Sequence, residues 1–266
     1  MECRRVSAAL IDLDGCIYRG GEPIEGSKEA VSKLRRSGVK ILFLTNNSSL
    51  PVRDYVKKLK FMGIDVSDEE ILTSALAAAM YLKREYGKVR VLPVGMKGVL
   101  EALVNEGHEI VWLPEEDPKV VLVGLDTNFT YDKLKIALRA LLNGAAFVAT
   151  NADPSLPVER GLIPGAGAIV KALETASGRK PVIVGKPSRL IMEIALSTLR
   201  VEARETVVIG DRVETDIMAG KAIGAHTILV LSGVTRRDDL PRYPREVHPD
   251  LVFPSLREAV EHILSS

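Results

Sequence analysis

Short, unbroken apolar runs alternate along this chain with stretches of helical periodicity, and that alternation restricts the fold more than any other feature. Residues 6–13, 39–45, 71–73, 181–184, 206–209, 227–231 and 251–253 read as strands, most of them apolar at successive positions. A strand with no polar face must be covered on both sides, which is the condition of a parallel sheet flanked by helices. The intervening segments supply those helices, at 27–37, 51–62, 188–199, 215–223 and 255–264. Their ends carry the expected chemistry: Gly38 follows the first, and Pro51 and Gly63 bracket the second.

The middle of the chain has its own rhythm. Strand-like runs at 89–93 and 110–113 flank a helical stretch at 97–105, and runs at 119–124 and 146–149 flank another at 131–143. A Gly-rich loop at 161–167 then leads into a helix ending near Ser177. This pattern predicts a second α/β unit inserted into the first, with crossings near 77–87 and 179–181. The expected organisation is therefore a discontinuous core of residues 1–78 and 181–266 interrupted by an insert of residues 79–180.

Composition narrows the class of protein. A net charge of +1 leaves no basic excess to neutralise many phosphates, so a nucleic-acid partner is not expected. No apolar run reaches membrane-spanning length and the first residues lack the pattern of a signal peptide, so the expectation is a cytoplasmic protein without a membrane partner. Cys3 and Cys16 form no disulfide framework and lack metal-site spacing, which disfavours zinc.

In open α/β sheets, ligands gather at the carboxyl ends of the strands. Asp12, Leu13, Asp14 and Gly15 end the first strand, and Thr45, Asn46 and Asn47 end the second. Gly185 and Lys186 follow the 181–184 run, while Gly210, Asp211 and Asp216 follow the 206–209 run. Two readings of the Asp12–Asp14 pair are open at this point. One is a solvated turn, since Asp and Gly are ordinary turn residues. The other is a partly buried pair of like charges, which needs a cation, and oxygen ligands of this kind suit magnesium.

The motifs LIDLDGCIYRG (10–20), FLTNNS (43–48), VGKPS (184–188) and GDRVETDI (210–217) together resemble the haloacid dehalogenase (HAD) superfamily of phosphohydrolases. The insert segments GLDTNFTY (124–131) and TNADPSLPVERGLIPGAGA (150–168) narrow the likeness to its NagD and p-nitrophenylphosphatase branch. The resemblance implies an α/β fold with a Rossmann-like core, a parallel sheet with helices on both faces, and an inserted α/β cap domain. It implies a magnesium-dependent phosphatase of small phosphomonoesters, with a small phosphorylated metabolite as its partner and a monomer or homodimer as its state.

The same resemblance assigns roles. Asp12 becomes the nucleophile that forms an aspartyl-phosphate. Asp14 becomes the general acid and base, and gives the metal its main-chain carbonyl. Asp12 and Asp211 are the other metal ligands. Thr45, Asn46 and Asn47 bind phosphate, Lys186 balances its charge, and Asp216 orients Lys186 or a metal-bound water. In the cap, Asn151, Asp153 and Gly165 are the candidates for reading the substrate, with Asp126 and Asn128 behind them; an Asx turn is the structural alternative for each polar residue. Leu156 stands where pyridoxal-phosphate-specific relatives carry histidine, which leans toward a less selective enzyme.

Three other readings of the same residues differ in what they require. A dehalogenase needs neither magnesium nor a second acid, so Asp14 and Asp211 argue against it. A phosphomutase, and a non-catalytic sensor of phosphorylated metabolites, remain as alternatives. The four histidines are scattered without ligand spacing, Trp112 reads as packing, Glu214 as a solvated first-turn acid, residues 57–60 as a solvated basic helix face, and residues 94–98 as a turn entering a helix.

Overall fold

Ala8–Ile11 is fully buried at every position, although successive strand side chains point to opposite faces, so both faces of this strand are covered. The computed structural model of the protein describes residues 6–158 and 161–265. Cys3, together with Glu159 and Arg160 of the 150–168 motif, lies outside the described residues.

Two parallel sheets account for the apolar runs. The first is six-stranded, in the order Leu251–Phe253, His226–Val230, Thr206–Gly210, Ala8–Asp12, Lys40–Thr45, Ile71–Thr73. The second is five-stranded, in the order Val182–Ile183, Ala146–Ala149, Val120–Val123, Arg90–Val94, Glu109–Ile110. The chain divides into two compact units, one running up to Thr45, through Val56–Leu72 and on from Lys186, the other made of Asn46–Tyr55 and Thr73–Gly185.

The first unit is built on strand-and-helix logic visible residue by residue. In Ser27–Arg36 the buried positions are Ser27, Ala30, Val31 and Leu34, one stripe of a 3.6-residue period. The helix packs on Leu256–Ser265, which buries Leu256, Ala259 and Val260. It ends in a Schellman motif: Val39 N donates to Leu34 O and Gly38 N to Arg35 O, both at 3.1 Å, with Gly38 at φ 76°. A left-handed residue is needed there, and glycine takes it without penalty.

The second unit has a separate core, in which Val121, Val123, Ala137, Ala149 and Leu173 are completely buried. Its alanine-rich helix Ser74–Tyr86 is N-capped by Thr73, whose Oγ1 accepts from Leu76 N at 3.1 Å. The crossing expected near 77–87 is instead occupied almost throughout by this helix.

Three further segments differ from expectation. The run at 181–184 is not a strand of the first sheet: Val182 and Ile183 pair with Val148 and Ala149 at the edge of the second sheet, and the return crossing falls between Gly185 and Lys186. An apolar run specifies a strand but not its neighbour. Residues 161–167 are not simply a loop, because Gly161–Pro164 pairs antiparallel with Ser155–Val158. The strand expected at 110–113 stops at Ile110, since the Glu116 carboxylate takes the amides of Trp112 and Leu113 at 2.9 and 2.8 Å and starts a turn. Trp112 is consequently 56% exposed and is not core packing. No helix among the described residues is long and apolar enough to cross a membrane.

Candidate active site

Parallel register brings the expected strand ends together within the first unit. Asp12 pairs with Leu44 and Ile11 with Ile209, so Asp12, Thr45 and Asp211 leave the sheet at one edge on three adjacent strands. Thr45 is buried at its strand end. After Asp12 the chain turns at Gly15, which has φ 83°, and Gly15 N donates to Tyr18 O at 2.8 Å. A side chain at Gly15 would meet both that backbone strain and the Asp211 carboxylate, 2.5 Å from an added Cβ.

Lys186 is the hub of the charge arrangement. Its side chain is 3% exposed, and its ammonium ion-pairs with Asp12 and lies 2.6 Å from Asp216 Oδ1. The other oxygen of Asp216 accepts from Arg212 N at 3.1 Å. Asp216 thus holds Lys186 with one oxygen and the Arg212 amide, in the first turn after Asp211, with the other. Residues 213–217 form a π-helical turn before the helix Met218–Ile223, a departure from the continuous α-helix expected over 215–223. Glu214 accepts from the Tyr243 hydroxyl at 2.5 Å and takes no part in the cluster; burial, then that bond, pushes the Tyr243 phenol up to about 12.

Asp211 is 2% exposed and its Oδ2 accepts from Val234 N at 2.7 Å. The same loop donates a hydrogen bond from Ser232 Oγ to Gly15 O at 2.6 Å. Gly233 lies so close that an added Cβ would overlap the Asp211 carboxylate, and a Cβ at Gly210 would overlap that of Asp216. Neither the loop nor these two approaches had a signal in the sequence.

The electrostatics decide what the cluster can hold. Burial drives the carboxyl of Asp12 well above its usual range, against the pull of Lys186. Burial, then repulsion from Asp216, pushes Asp211 up to about 7. Burial draws the Lys186 ammonium down, but Asp12 and Asp216 more than reverse this and hold it charged. One ammonium among three carboxylates, Asp211 and Asp216 buried and Asp12 12% exposed, leaves an excess of two negative charges when all are ionised. Such a group is stable in its ionised form only with a further cation. Single ligand atoms of Asp12, Asp211 and Cys16 lie within 4.8 Å of one another, a spacing one ion could bridge. The donor set therefore fits a divalent metal, with hard carboxylate oxygens suited to magnesium. Burial, then the neighbouring carboxylates, raises the Cys16 thiol well above its usual range and keeps it protonated, so the carboxylates are the ligands of the set.

Asp14 has different surroundings. Its carboxyl is solvent-accessible, raised by partial burial and lowered by Lys58. Lys58 departs from the solvated face expected of residues 57–60: Lys57 and Lys60 are exposed, but Lys58 is half-buried with Nζ 3.4 Å from the centroid of the Tyr18 ring.

The remaining expected residues lie in the second unit, where Asn46, Asn151, Asp153 and Gly165 are in contact with one another. Asn46 Nδ2 donates to the Asp153 carboxylate at 3.1 Å, and Asn151 Nδ2 donates to Asn46 O at 2.6 Å. Asn151 Oδ1 accepts from Asp153 N at 3.1 Å, an Asx turn. Asn47 Oδ1 accepts from Ser49 N and Ser49 Oγ, at 3.0 and 2.7 Å. Gly165 packs directly on the Asp153 carbonyl, leaving no room for a side chain. Asp126 closes an Asx turn on Asn128 N at 2.9 Å and ion-pairs with Lys133 at 2.6 Å, the structural role. His108 is buried against Ala79 O at 3.0 Å, a core histidine.

Two family models match this chain: haloacid dehalogenase-like hydrolase over residues 9–109 and HAD-hydrolase-like over residues 183–259. The chain belongs to the haloacid dehalogenase-like hydrolases. An acid sugar phosphatase of Staphylococcus aureus (strain USA300) is 38% identical over 260 residues, spanning 98% of this chain and 99% of its own. Among solved structures, a p-nitrophenyl phosphatase from Archaeoglobus fulgidus superimposes with a TM-score of 0.92 at 40% identity, over 97% of this chain and 99% of that one. A glycerol phosphate phosphatase from Mycobacterium tuberculosis, solved in complex with magnesium, superimposes with a TM-score of 0.89 at 34% identity, over 96% of this chain and 76% of that one. The branch expected from the motifs, that of NagD and the p-nitrophenylphosphatases, is the one to which this hydrolase is similar along nearly its whole length.

Proposed function

We propose that this hydrolase is a magnesium-dependent phosphatase of small phosphomonoesters that works through an aspartyl-phosphate on Asp12. The observation that carries the reading is the buried cluster of Asp12, Asp211, Asp216 and Lys186, whose surplus negative charge calls for a divalent ion. Asp12 and Asp211 would hold the ion through carboxylate oxygens and Asp14 through its carbonyl. Bound there, magnesium would offset the repulsion between an anionic nucleophile and an anionic phosphoryl group.

The protein's own groups divide the remaining work. Lys186 keeps the Asp12 carboxylate oriented, with Asp216 fixing the lysine in turn. An Asp12 oxygen attacks phosphorus, the ester P–O bond breaks, and Asp14 passes its proton to the leaving oxygen. Asp14 then takes a proton from water as that water cleaves the phospho-aspartate, which releases inorganic phosphate and restores the Asp12 carboxylate. Thr45, buried at the neighbouring strand end, is the core candidate for a hydroxyl donor to the phosphoryl oxygens. Asn46 and Asn47 are the further candidates for binding phosphate, and Asn151, Asp153 and Gly165 those for discriminating the substrate. Sugar phosphates and glycerol phosphate head the substrates to be compared, because relatives bear those names.

Hydrolysis of p-nitrophenyl phosphate tests the reading. Turnover should require magnesium, cease with a chelator and return on readdition of the ion. Turnover that survives the chelator would remove the metal from the mechanism. Binding of phosphorylated metabolites without turnover would indicate a sensor.

The tight packing of Gly233 on Asp211 gives a second test. Gly233→Ala is expected to displace the Asp211 carboxylate, lower kcat/KM by roughly 10²-fold and raise the magnesium concentration needed for half-maximal rate. Unchanged magnesium dependence in a folded variant would show that Asp211 does not hold the ion.

A further inference from the structure

The loop that follows the strand His226–Val230 reaches past the end of its neighbour Thr206–Gly210 to the turn after Ala8–Asp12, one strand further on. It binds both within a few residues. Val234 N donates to Asp211 Oδ2 at 2.7 Å and Thr235 N to Asp211 O at 3.1 Å, so Asp211 is held by its carboxylate and by its main chain. Ser232, which is buried, holds the other side: its Oγ donates to Gly15 O at 2.6 Å. Its own carbonyl accepts from Arg19 Nε at 2.6 Å, so one serine fastens the turn at both ends. Between these bonds the two backbones touch, with Gly233 Cα 3.0 Å from the place of a Cβ on Gly15.

The turn is closed from within as well. Gly15 N donates to Tyr18 O at 2.8 Å, and Ile17 N to Leu13 O at 2.9 Å. Gly15 N belongs to the same planar peptide as the Asp14 carbonyl, so the bond to Tyr18 sets the plane in which that carbonyl lies. The next peptide is set by Ser232, through Gly15 O. Glycine is the residue least able to fix its own torsions. Holding the peptides on both sides of Gly15 supplies that restraint from outside. One loop thus fixes the Asp14 carbonyl and the Asp211 carboxylate against each other.

Ligands held at a fixed spacing discriminate by ion size. Magnesium demands nearly regular octahedral ligands at about 2.0–2.1 Å, whereas calcium accepts about 2.3–2.6 Å and irregular geometry. We propose that Ser232 is a positioning residue that sets ion selectivity: by fixing the turn that carries the Asp14 carbonyl to the loop that holds Asp211, it favours magnesium over the larger calcium. This role rests on the reading, given above, of the Asp14 carbonyl and Asp211 as ligands of the metal.

Thermal melting of the metal-free full chain, titrated with magnesium chloride or calcium chloride alone, reads each affinity without turnover, because an ion that binds the folded state raises Tm with its concentration. Ser232→Ala should weaken magnesium about tenfold or more, the usual cost of losing a group that orients a ligand. Calcium should weaken by about threefold at most, since it tolerates displaced ligands. Ser232→Thr keeps the hydroxyl and should hold the wild-type ratio of the two affinities. Arg19→Met removes the bond to the Ser232 carbonyl from an exposed residue and should move the ratio in the same direction as Ser232→Ala. It decides the matter if Ser232→Ala does not fold, an unchanged ratio then counting against the serine. A folded Ser232→Ala protein that binds magnesium as the wild type does, or that loses both ions equally, would overturn the role of Ser232, as would a threonine variant as weak as the alanine one. A wild-type Tm that responds to neither ion would overturn the metal reading itself.

Discussion

Asp12→Asn is expected to lower turnover by roughly 10⁴-fold or more, the scale seen when a covalent nucleophile is removed. No phospho-aspartate should form, as read by rapid quench with labelled substrate. The same variant should not lose stability without metal. Burial drives the Asp12 carboxyl well above its ordinary range, so the ionised form is held under electrostatic stress. An amide at that place keeps a hydrogen-bond acceptor for Lys186 and removes one of the crowded negative charges, while Lys186 retains Asp216 at 2.6 Å. The metal-free Tm of Asp12→Asn should therefore equal or exceed that of the wild type, an instance of a site that trades stability for activity. Residual phosphoenzyme in the variant would assign the nucleophile elsewhere. A collapse in Tm would mean that Asp12 holds the fold together and is not a source of stress.

Lys186→Met should act in the opposite direction on stability. The ammonium is the common partner of Asp12 and Asp216, and the Asp216 side chain is only 2% exposed. Removing one member of a buried ionic group leaves the others uncompensated, at a cost of about 3–5 kcal/mol. For a chain of this size that corresponds to a fall in Tm on the order of 10 °C. Activity should fall with it, because Asp12, the proposed nucleophile, loses its ammonium partner. Adding Asp216→Asn should return part of the lost stability and none of the activity, since the second change relieves charge without rebuilding the hold on Asp12. Metal-free melting curves of the single and double variants decide the matter. A Lys186→Met protein as stable as the wild type would show that the carboxylates are relieved by some other means.

These two expectations depend on parts of the molecule that were unequally legible. Asp12, Thr45 and Asp211 could be placed at strand ends because each follows an unbroken apolar run, and parallel neighbours in register bring such ends to one edge. The helix ends were legible too, since Gly38 and Gly63 take the left-handed conformation that terminates a helix, both with φ near 77°. The partner of the run at 181–184 was not legible. Two parallel sheets offer the same kind of edge to a short apolar strand, and only three-dimensional packing chooses between them. The hairpin at Ser155–Val158 and Gly161–Pro164 was hidden for a related reason: Gly and Pro read as breakers, while its pairing is a matter of backbone register.

Side-chain environments divide in the same way. Lys58 is one lysine of several on an amphipathic helix, and its place over Tyr18 joins residues 40 positions apart. Cys16 reads as an isolated thiol until the fold sets it beside Asp12 and Asp211. Asn46, Asn151 and Asp153 read as separate polar residues until their hydrogen bonds link them.

Residue type, order and local periodicity were enough to establish the α/β class, the ends of most elements, the carboxylates and lysine of the cluster, and through its motifs the family. These are local properties, set by neighbours within a few positions. Which acid is stressed, which cation relieves it and which ligand atoms converge are not local. Lys186 and Asp12 are separated by 174 positions, and the raised pKa values arise only when both are buried with Asp211 and Asp216 in a medium too poor in water to screen them. The chain carries the charges; the packed structure sets the strength of their interaction, and with it the need for a metal.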